Sequence, residues 1–165
     1  MNLIRTIIIH CFKRRLSLTP MFEHPKHVSF ICNNCGLCCG DTEDTVRHIL
    51  LLKTDAERIS NEILLNHQEY AEEISGFEPY IYEVKKTEDG KCFFLENNLC
   101  SIYEIRPLIC KFYPFQLKKS GNDRYSFSYT NKCIGIGKGP CHKRVFFENL
   151  LSHVITAMEE NSKTS

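Results

Sequence analysis

Apolar and polar positions alternate along this chain with a period that keeps changing, and each change marks a predicted element. The run "TVRHILLLK", residues 45–53, with Ile49 to Leu52 consecutively apolar, predicts a buried strand. From Thr54 the period lengthens to that of a helix: Thr54 and Glu57 have the spacing of a capping box, and the helix is expected to run to about Leu65. A second short helix is expected over "HQEYAEEIS", stopped by Gly76. "PYIYEVKK" then alternates as a strand, "EDG" offers a turn, and "KCFFL" is the return strand. Asn97 and Asn98 predict another turn, and Ser101 with Glu104 a capping box whose helix ends before Pro107. "RYSFSYT" reads as a strand. The segment "CHKRVFFENLLSHVITAMEEN" places Val145, Leu151, Val154, Ile155 and Met158 near helical spacing and predicts a core-facing amphipathic helix. Helices and strands mixed without an internal repeat predict a small α+β fold.

The first 22 residues stand apart as a basic amphipathic extension, leaving residues 23–165 as the expected domain. Their apolar run, Leu3 to Ile9, is shorter than the roughly 20 residues a membrane span needs. Lys13, Arg14 and Arg15 follow that run, and no small-residue cleavage site is visible, so a signal peptide is a poor fit. The expectation is a cytoplasmic protein with no integral membrane segment. Charge adds little: 21 Lys+Arg against 20 Asp+Glu leave a formal +1, with no basic stripe to suggest a nucleic-acid partner and none to name a protein partner.

Ten cysteines change the picture. In a cytoplasmic chain thiols stay reduced, so clustered cysteines point to metal ligation or redox chemistry rather than to a disulfide framework. Cys32, Cys35, Cys38 and Cys39 fall within "FICNNCGLCCGD"; Cys32 to Cys35 and Cys35 to Cys38 each skip two residues, the spacing with which a tight turn aims two sulfurs at one ion. Gly36 and Gly40 suit such a turn. Cys38 and Cys39 are adjacent, and neighbours in an extended or irregular segment point apart, so the pair is expected either to face two centres or to include one spectator. Cys92, Cys100, Cys110 and Cys133 bring the set to eight, enough for two four-thiolate sites. Two zinc ions, one iron-sulfur cluster plus a zinc, or a single four-ligand centre with four structural cysteines all remain open. Cys11 and Cys141 stand outside the set as ordinary thiols.

"FICNNCGLCCG", "KCFFLENNLCSIYEIRPLICKFYPF" and "KCIGIGKGP" together resemble the YkgJ-type cysteine-cluster family, a zinc- or iron-chelating domain with a CxxCxxCC signature. The resemblance covers roughly residues 28–140. It implies a metal ion held by Cys32, Cys35, Cys38, Cys39, Cys92, Cys100, Cys110 and Cys133. The family also includes flagellin lysine N-methylases, longer enzymes that use S-adenosylmethionine. Only 32 residues follow Cys133, so the resemblance favours chelation over methyl transfer.

Other residues carry weaker signals. Arg106 could neutralise thiolates or pair with Asp41 or Glu43. Phe112, Tyr113 and Phe115 of "FYPF" could wall a centre or simply pack a core. "GIGKG", Gly135 to Gly139, could be a phosphate or adenosyl loop, although its spacing matches no common nucleotide fingerprint, or a nest of N–H groups serving the Cys133 sulfur. His24 and His27 precede the first cluster and could lend an imidazole. Two functions follow: a metal-binding protein that chelates iron, as an iron-sulfur cluster, or zinc; or a small cluster-dependent enzyme for redox or S-adenosylmethionine-dependent group transfer. No acid-base or nucleophile arrangement favours the enzyme, and the ferredoxin-like start of the cysteine run favours iron.

Overall fold

The computed structural model describes residues 20–120 and 124–163. Most of the extension expected over residues 1–22, with Cys11, therefore lies outside the described residues. The fold is mixed α+β, as expected. In chain order its elements are β1 (Met21–Glu23), β2 (Ser29–Phe30), β3 (Leu50–Leu51), α1 (Lys53–Ile63), α2 (His67–Tyr70), β4 (Ala71–Glu73) and β5 (Tyr82–Val84). They are followed by β6 (Leu95–Glu96), β7 (Leu99–Cys100), α3 (Leu108–Phe112), β8 (Phe115–Lys119), β9 (Arg124–Tyr129), β10 (Ile136–Cys141) and α4 (Arg144–Lys163). The chain divides into two compact units, one formed by the residues up to Ile31 with Phe112–Glu159, the other by Cys32–Lys111 with the residues from Glu160 onward. Among the described residues no helix is long and apolar enough to cross a membrane.

The first unit is built on aromatic packing. β8 and β9 pair antiparallel from Phe115↔Tyr129 to Lys119↔Tyr125, and β1 joins β9 in parallel. Period-two alternation turns Phe115 and Leu117 of β8 and Tyr125 and Phe127 of β9 inward. Phe147 of α4, fully buried, meets Phe115 and Phe127 with ring centroids 5.3 and 5.1 Å apart. The predicted helix is present, but its buried stripe runs through Phe147, Leu150, Leu151 and Met158, and Val145 is 63 % exposed. Two positions from Phe147, Val145 lies on the far side of a 3.6-residue turn.

"FYPF" belongs to this aromatic core: Phe112 stacks on Phe127, and Phe115 meets Phe30, Phe146 and Phe147. β10 was not foreseen as a strand. It pairs with β2 at Ile136↔Phe30 and Cys141↔Ser29, with a register shift between. A Cβ at Gly135 would stand 2.3 Å from the Ile31 carbonyl oxygen, and one at Gly139 2.7 Å from Ile31 Cβ. The outer glycines of "GIGKG" are therefore required by the close passage of Ile31, and that packing accounts for them without a ligand loop.

The second unit has an aliphatic core under α1. β5 lies between β3 and β4, with Leu50 opposite Glu83 and Ala71 opposite Val84. Ala56 and Ile59 of α1 close over Leu51, Tyr70 and Val84, together with Ile49, Cys92, Phe94 and Ile102. Several local expectations are corrected here. α1 opens with Asp55, not Glu57, reaching back, because the Asp55 carboxylate accepts the Leu52 N–H at 3.4 Å. The second helix is a single turn capped by Asn66 and Glu69, and Ala71–Glu73 leave it to pair with β5.

The strand foreseen over 79–86 exists as β5, but it is held by β3 and β4 rather than by a full hairpin with residues 91–95. The two stretches meet at the Lys86↔Cys92 bridge, with the Phe93 N–H bonded to the Lys85 carbonyl and the Thr87 N–H to the Lys91 carbonyl. The Asn97-Asn98 turn is present, both residues left-handed at φ 49° and 63°, and joins β6 to β7. No helix forms at Ser101–Glu104. The Ser101 backbone N–H and hydroxyl both bond the Phe94 carbonyl, and the helix, α3, begins after Pro107 instead of ending before it.

Candidate metal centre

Three separate stretches bring thiols to the second unit's core. The first is the turn Gly36–Cys39, closed by a Cys39 N–H to Gly36 carbonyl bond of 2.9 Å, with Gly36 at the positive φ of 70° that a knuckle turn needs. The second follows because this turn runs directly into a short ladder. Cys92 N–H donates to the Cys39 carbonyl at 2.7 Å, and Asp41 N–H to the Gly90 carbonyl at 3.0 Å, so backbone pairing sets Cys92 beside Cys39. The β6–β7 hairpin then returns Cys100, and α3 supplies Cys110 as the third residue of its first turn. Cys92 is a member of the buried core, and Cys39, Cys100 and Cys110 pack against it.

These thiols also act on one another electrostatically. Burial pushes the Cys110 thiol well up, and repulsion from Cys92, Cys38 and Cys100 adds to it. Burial likewise raises Cys92, to about 11, with contributions from Cys100 and Cys38, and it raises Cys100. Cys38 goes the other way, to about 7: its sulfur accepts a hydrogen bond from the Cys39 thiol, and the charges of Arg47 and Arg106 reinforce that against the cost of burial. The proton that Cys39 shares with Cys38 is correspondingly held tightly.

The Cys38 and Cys39 sulfurs stand 3.7 Å apart. Two thiolates on one tetrahedral ion, each about 2.3 Å from it, stand about 3.8 Å apart. The expectation that these neighbours must point apart assumed an extended backbone; the turn at Gly36 places both sulfurs on one side. Every described cysteine is a free thiol.

The remaining predicted residues are placed differently. Cys32 is exposed, its thiol directed at the Asn34 side chain at 3.5 Å and close to the Tyr103 hydroxyl. Cys35 is half-buried. Cys133, also half-buried, belongs to the first unit, where its carbonyl accepts the Ile136 N–H. Cys141 is exposed. His24 stacks on Phe147 and donates to the Pro25 carbonyl, so its role is in that unit's packing. Asp41 does not take Arg106 as partner: it accepts the Arg47 N–H and the Lys86 ammonium, at 2.7 and 2.8 Å. Arg106 lies over the Tyr103 ring at 3.9 Å and donates to the Tyr103 carbonyl.

The donor set suits a thiophilic ion: five sulfurs from Cys38, Cys39, Cys92, Cys100 and Cys110, with two guanidinium charges near Cys38 to offset thiolate charge. Among the described residues, no three His, Cys, Asp or Glu side chains already converge on a single ion position. The sulfurs thus share a neighbourhood rather than a closed coordination sphere.

Arg47 escaped the sequence reading, which took residues 45–53 only as a strand. Asp55 and Arg58 escaped it too, although an acid and a base three residues apart on a helix mark an ion-pair spacing.

Comparison with known proteins adds the family. The model of the family CxxCxxCC, described as "Putative zinc- or iron-chelating domain", matches residues 31–134. The uncharacterized protein MJ0939 of Methanocaldococcus jannaschii is 28 % identical over 155 residues, covering 84 % of this chain and 52 % of that protein. A second uncharacterized protein of that organism, MJ0661, is 31 % identical over 117 residues, 68 % of this chain and 60 % of its own length. This chain thus spans between half and two thirds of the curated relatives it matches. No solved structure matches it. With the signature Cys32-x2-Cys35-x2-Cys38-Cys39 at its start and the grouped thiols of Cys92, Cys100 and Cys110 inside the matched span, the chain belongs to the CxxCxxCC zinc- or iron-chelating domain family.

Proposed function

We propose that this protein binds iron, as an iron-sulfur cluster, through thiolates drawn from Cys38, Cys39, Cys92, Cys100 and Cys110, with Cys32, Cys35 and Cys133 as the further ligands that the family signature suggests. The observation that carries metal ligation by these thiols is the 3.7 Å separation of the Cys38 and Cys39 sulfurs. A cysteine side chain has one rotatable χ angle with three staggered positions, so each sulfur can be re-aimed by a single rotation. A thiolate-only set against an apolar core favours a cluster over a hard ion. Such a cluster would supply a redox or electron-holding centre, while the protein's own contribution is to orient the sulfurs, exclude water on the core side and balance charge with Arg47 and Arg106.

The test is iron, zinc and acid-labile sulfide content, with a visible spectrum, on protein purified without oxygen. Iron and sulfide in matching amounts and a brown chromophore bleached by reductant are expected. Colourless protein with one or two zinc ions overturns the iron assignment and keeps chelation; protein that takes up neither metal overturns the reading.

A further inference from the structure

Asp55 carries a carboxylate into the interior of the second unit, where it is 4 % exposed. Its Oδ2 accepts the Leu108 N–H at 3.3 Å as well as the Leu52 N–H, and its Oδ1 takes Nη2 of Arg58 at 2.6 Å. Arg58 reaches on from there: Nη1 donates to the Ile105 carbonyl at 2.5 Å, and Nη2 lies 3.5 Å from the Arg106 carbonyl. Two side chains one helical turn apart on α1 thus hold both the carbonyls and the N–H of a single backbone stretch, residues 105–108.

That stretch lies between two of the grouped thiols. The Leu108 N–H opens α3, whose third residue is Cys110, and the Ile105 carbonyl ends the turns that follow Cys100. Capping α1 needs only the bond from the Leu52 N–H to Asp55, and Arg58 adds nothing to it. A buried carboxylate also carries a desolvation cost that an apolar side chain of similar size would avoid. What the pair supplies in return is direction: three bonds at set angles onto one loop.

We infer that Asp55 and Arg58 are positioning residues for the metal-binding cysteines, fixing where Cys100 and Cys110 stand relative to the Cys38–Cys39 pair. The inference rests on the thiolate-site reading above. It predicts that loosening the clamp changes how many sulfurs reach the ion, not merely how stable the fold is.

The test is titration with Cd2+ alone, followed by the ultraviolet sulfur-to-cadmium charge-transfer band, whose amplitude per ion counts thiolates. Asp55→Asn and Arg58→Lys are compared with the unaltered protein and with Glu62→Gln, an exposed change on the same helix. Arg58→Lys keeps the charge but loses the fork, and at 37 % exposure its side chain tolerates the change in the folded protein. Both clamp variants are expected to show a smaller band per ion and an affinity lower by about 10- to 100-fold, the scale found for residues that orient metal ligands, with unchanged far-ultraviolet circular dichroism. Glu62→Gln should titrate as the unaltered protein does. If Asp55→Asn fails to fold, Arg58→Lys decides by the same readings. Clamp variants that melt earlier yet keep the full band and affinity overturn the positioning role while leaving the metal reading intact. An unaltered protein with no charge-transfer band overturns both.

Discussion

At the scale of single residues, chemistry and placement divide the cysteines into groups that spacing treats alike. Cys38, Cys39, Cys92, Cys100 and Cys110 interact with one another, whereas Cys141 is exposed in the other unit. Cys38→Ser is therefore expected to reduce bound metal by at least about tenfold at limiting ion, in line with the loss of a thiolate ligand, while Cys141→Ser leaves it unchanged; elemental analysis after gel filtration measures both. Cys35→Ser separates the signature from the grouping: a fall like that of Cys38→Ser places Cys35 among the ligands, and no change removes it. Residue identity made the cysteines visible in the sequence from the start. Arg47 was invisible, because its relation to Cys38 depends on a turn that brings segments together and no local spacing encodes it.

At the scale of elements, short strands and tight turns carry this fold, and close approach decides what they tolerate. Gly135 and Gly137 make the contrast. An added Cβ at Gly135 meets a backbone oxygen, which cannot swing aside; at Gly137 it meets nothing, and only the φ of 81° opposes it. Gly135→Ala is expected to destabilise by about 3 kcal/mol, the upper range for forced overpacking, and Gly137→Ala by about 1 kcal/mol, as strain alone would give. Urea unfolding distinguishes them, and equal losses would remove the close passage of Ile31 as the reason for the glycine pattern. Phe147→Ala, which empties the centre of the aromatic core, is expected to cost about 3–5 kcal/mol in the same assay.

Helix α4 and strands β5 and β9 were legible because each has a long or regular pattern. The helices misjudged at residues 67–75 and 101–106 were lost to tertiary partners. Ala71–Glu73 satisfy their backbone by pairing with β5, and Ser101 is drawn to the Phe94 carbonyl, so a local capping pattern gave way to nearby acceptors.

At the scale of the whole molecule, binding an ion to thiolates couples metal to fold. Protein carrying metal at about 1,000 times its dissociation constant should gain about 4 kcal/mol over stripped protein, seen as a higher Tm, with new hydrogen-exchange protection concentrated around residues 38–41, 90–100 and 105–111. Thiols must lose their protons to bind, so the metal-bound form holds fewer protons than the free form. Affinity should therefore fall as pH falls, and loading in weak buffer should release acid; an absence of proton release would argue against thiolate ligation.

The sequence by itself determined the donor chemistry, the family and the mixed α+β character, because these follow from residue type, order and period. Only the tertiary structure decided which sulfurs stand together, that adjacent Cys38 and Cys39 sit at the spacing of one ion, and that Asp55 and Arg58 grip the loop between Cys100 and Cys110. The first and last of those relations join residues tens of positions apart through backbone ladders and a buried carboxylate, the second depends on the conformation of one turn, and a one-dimensional pattern carries no such distances.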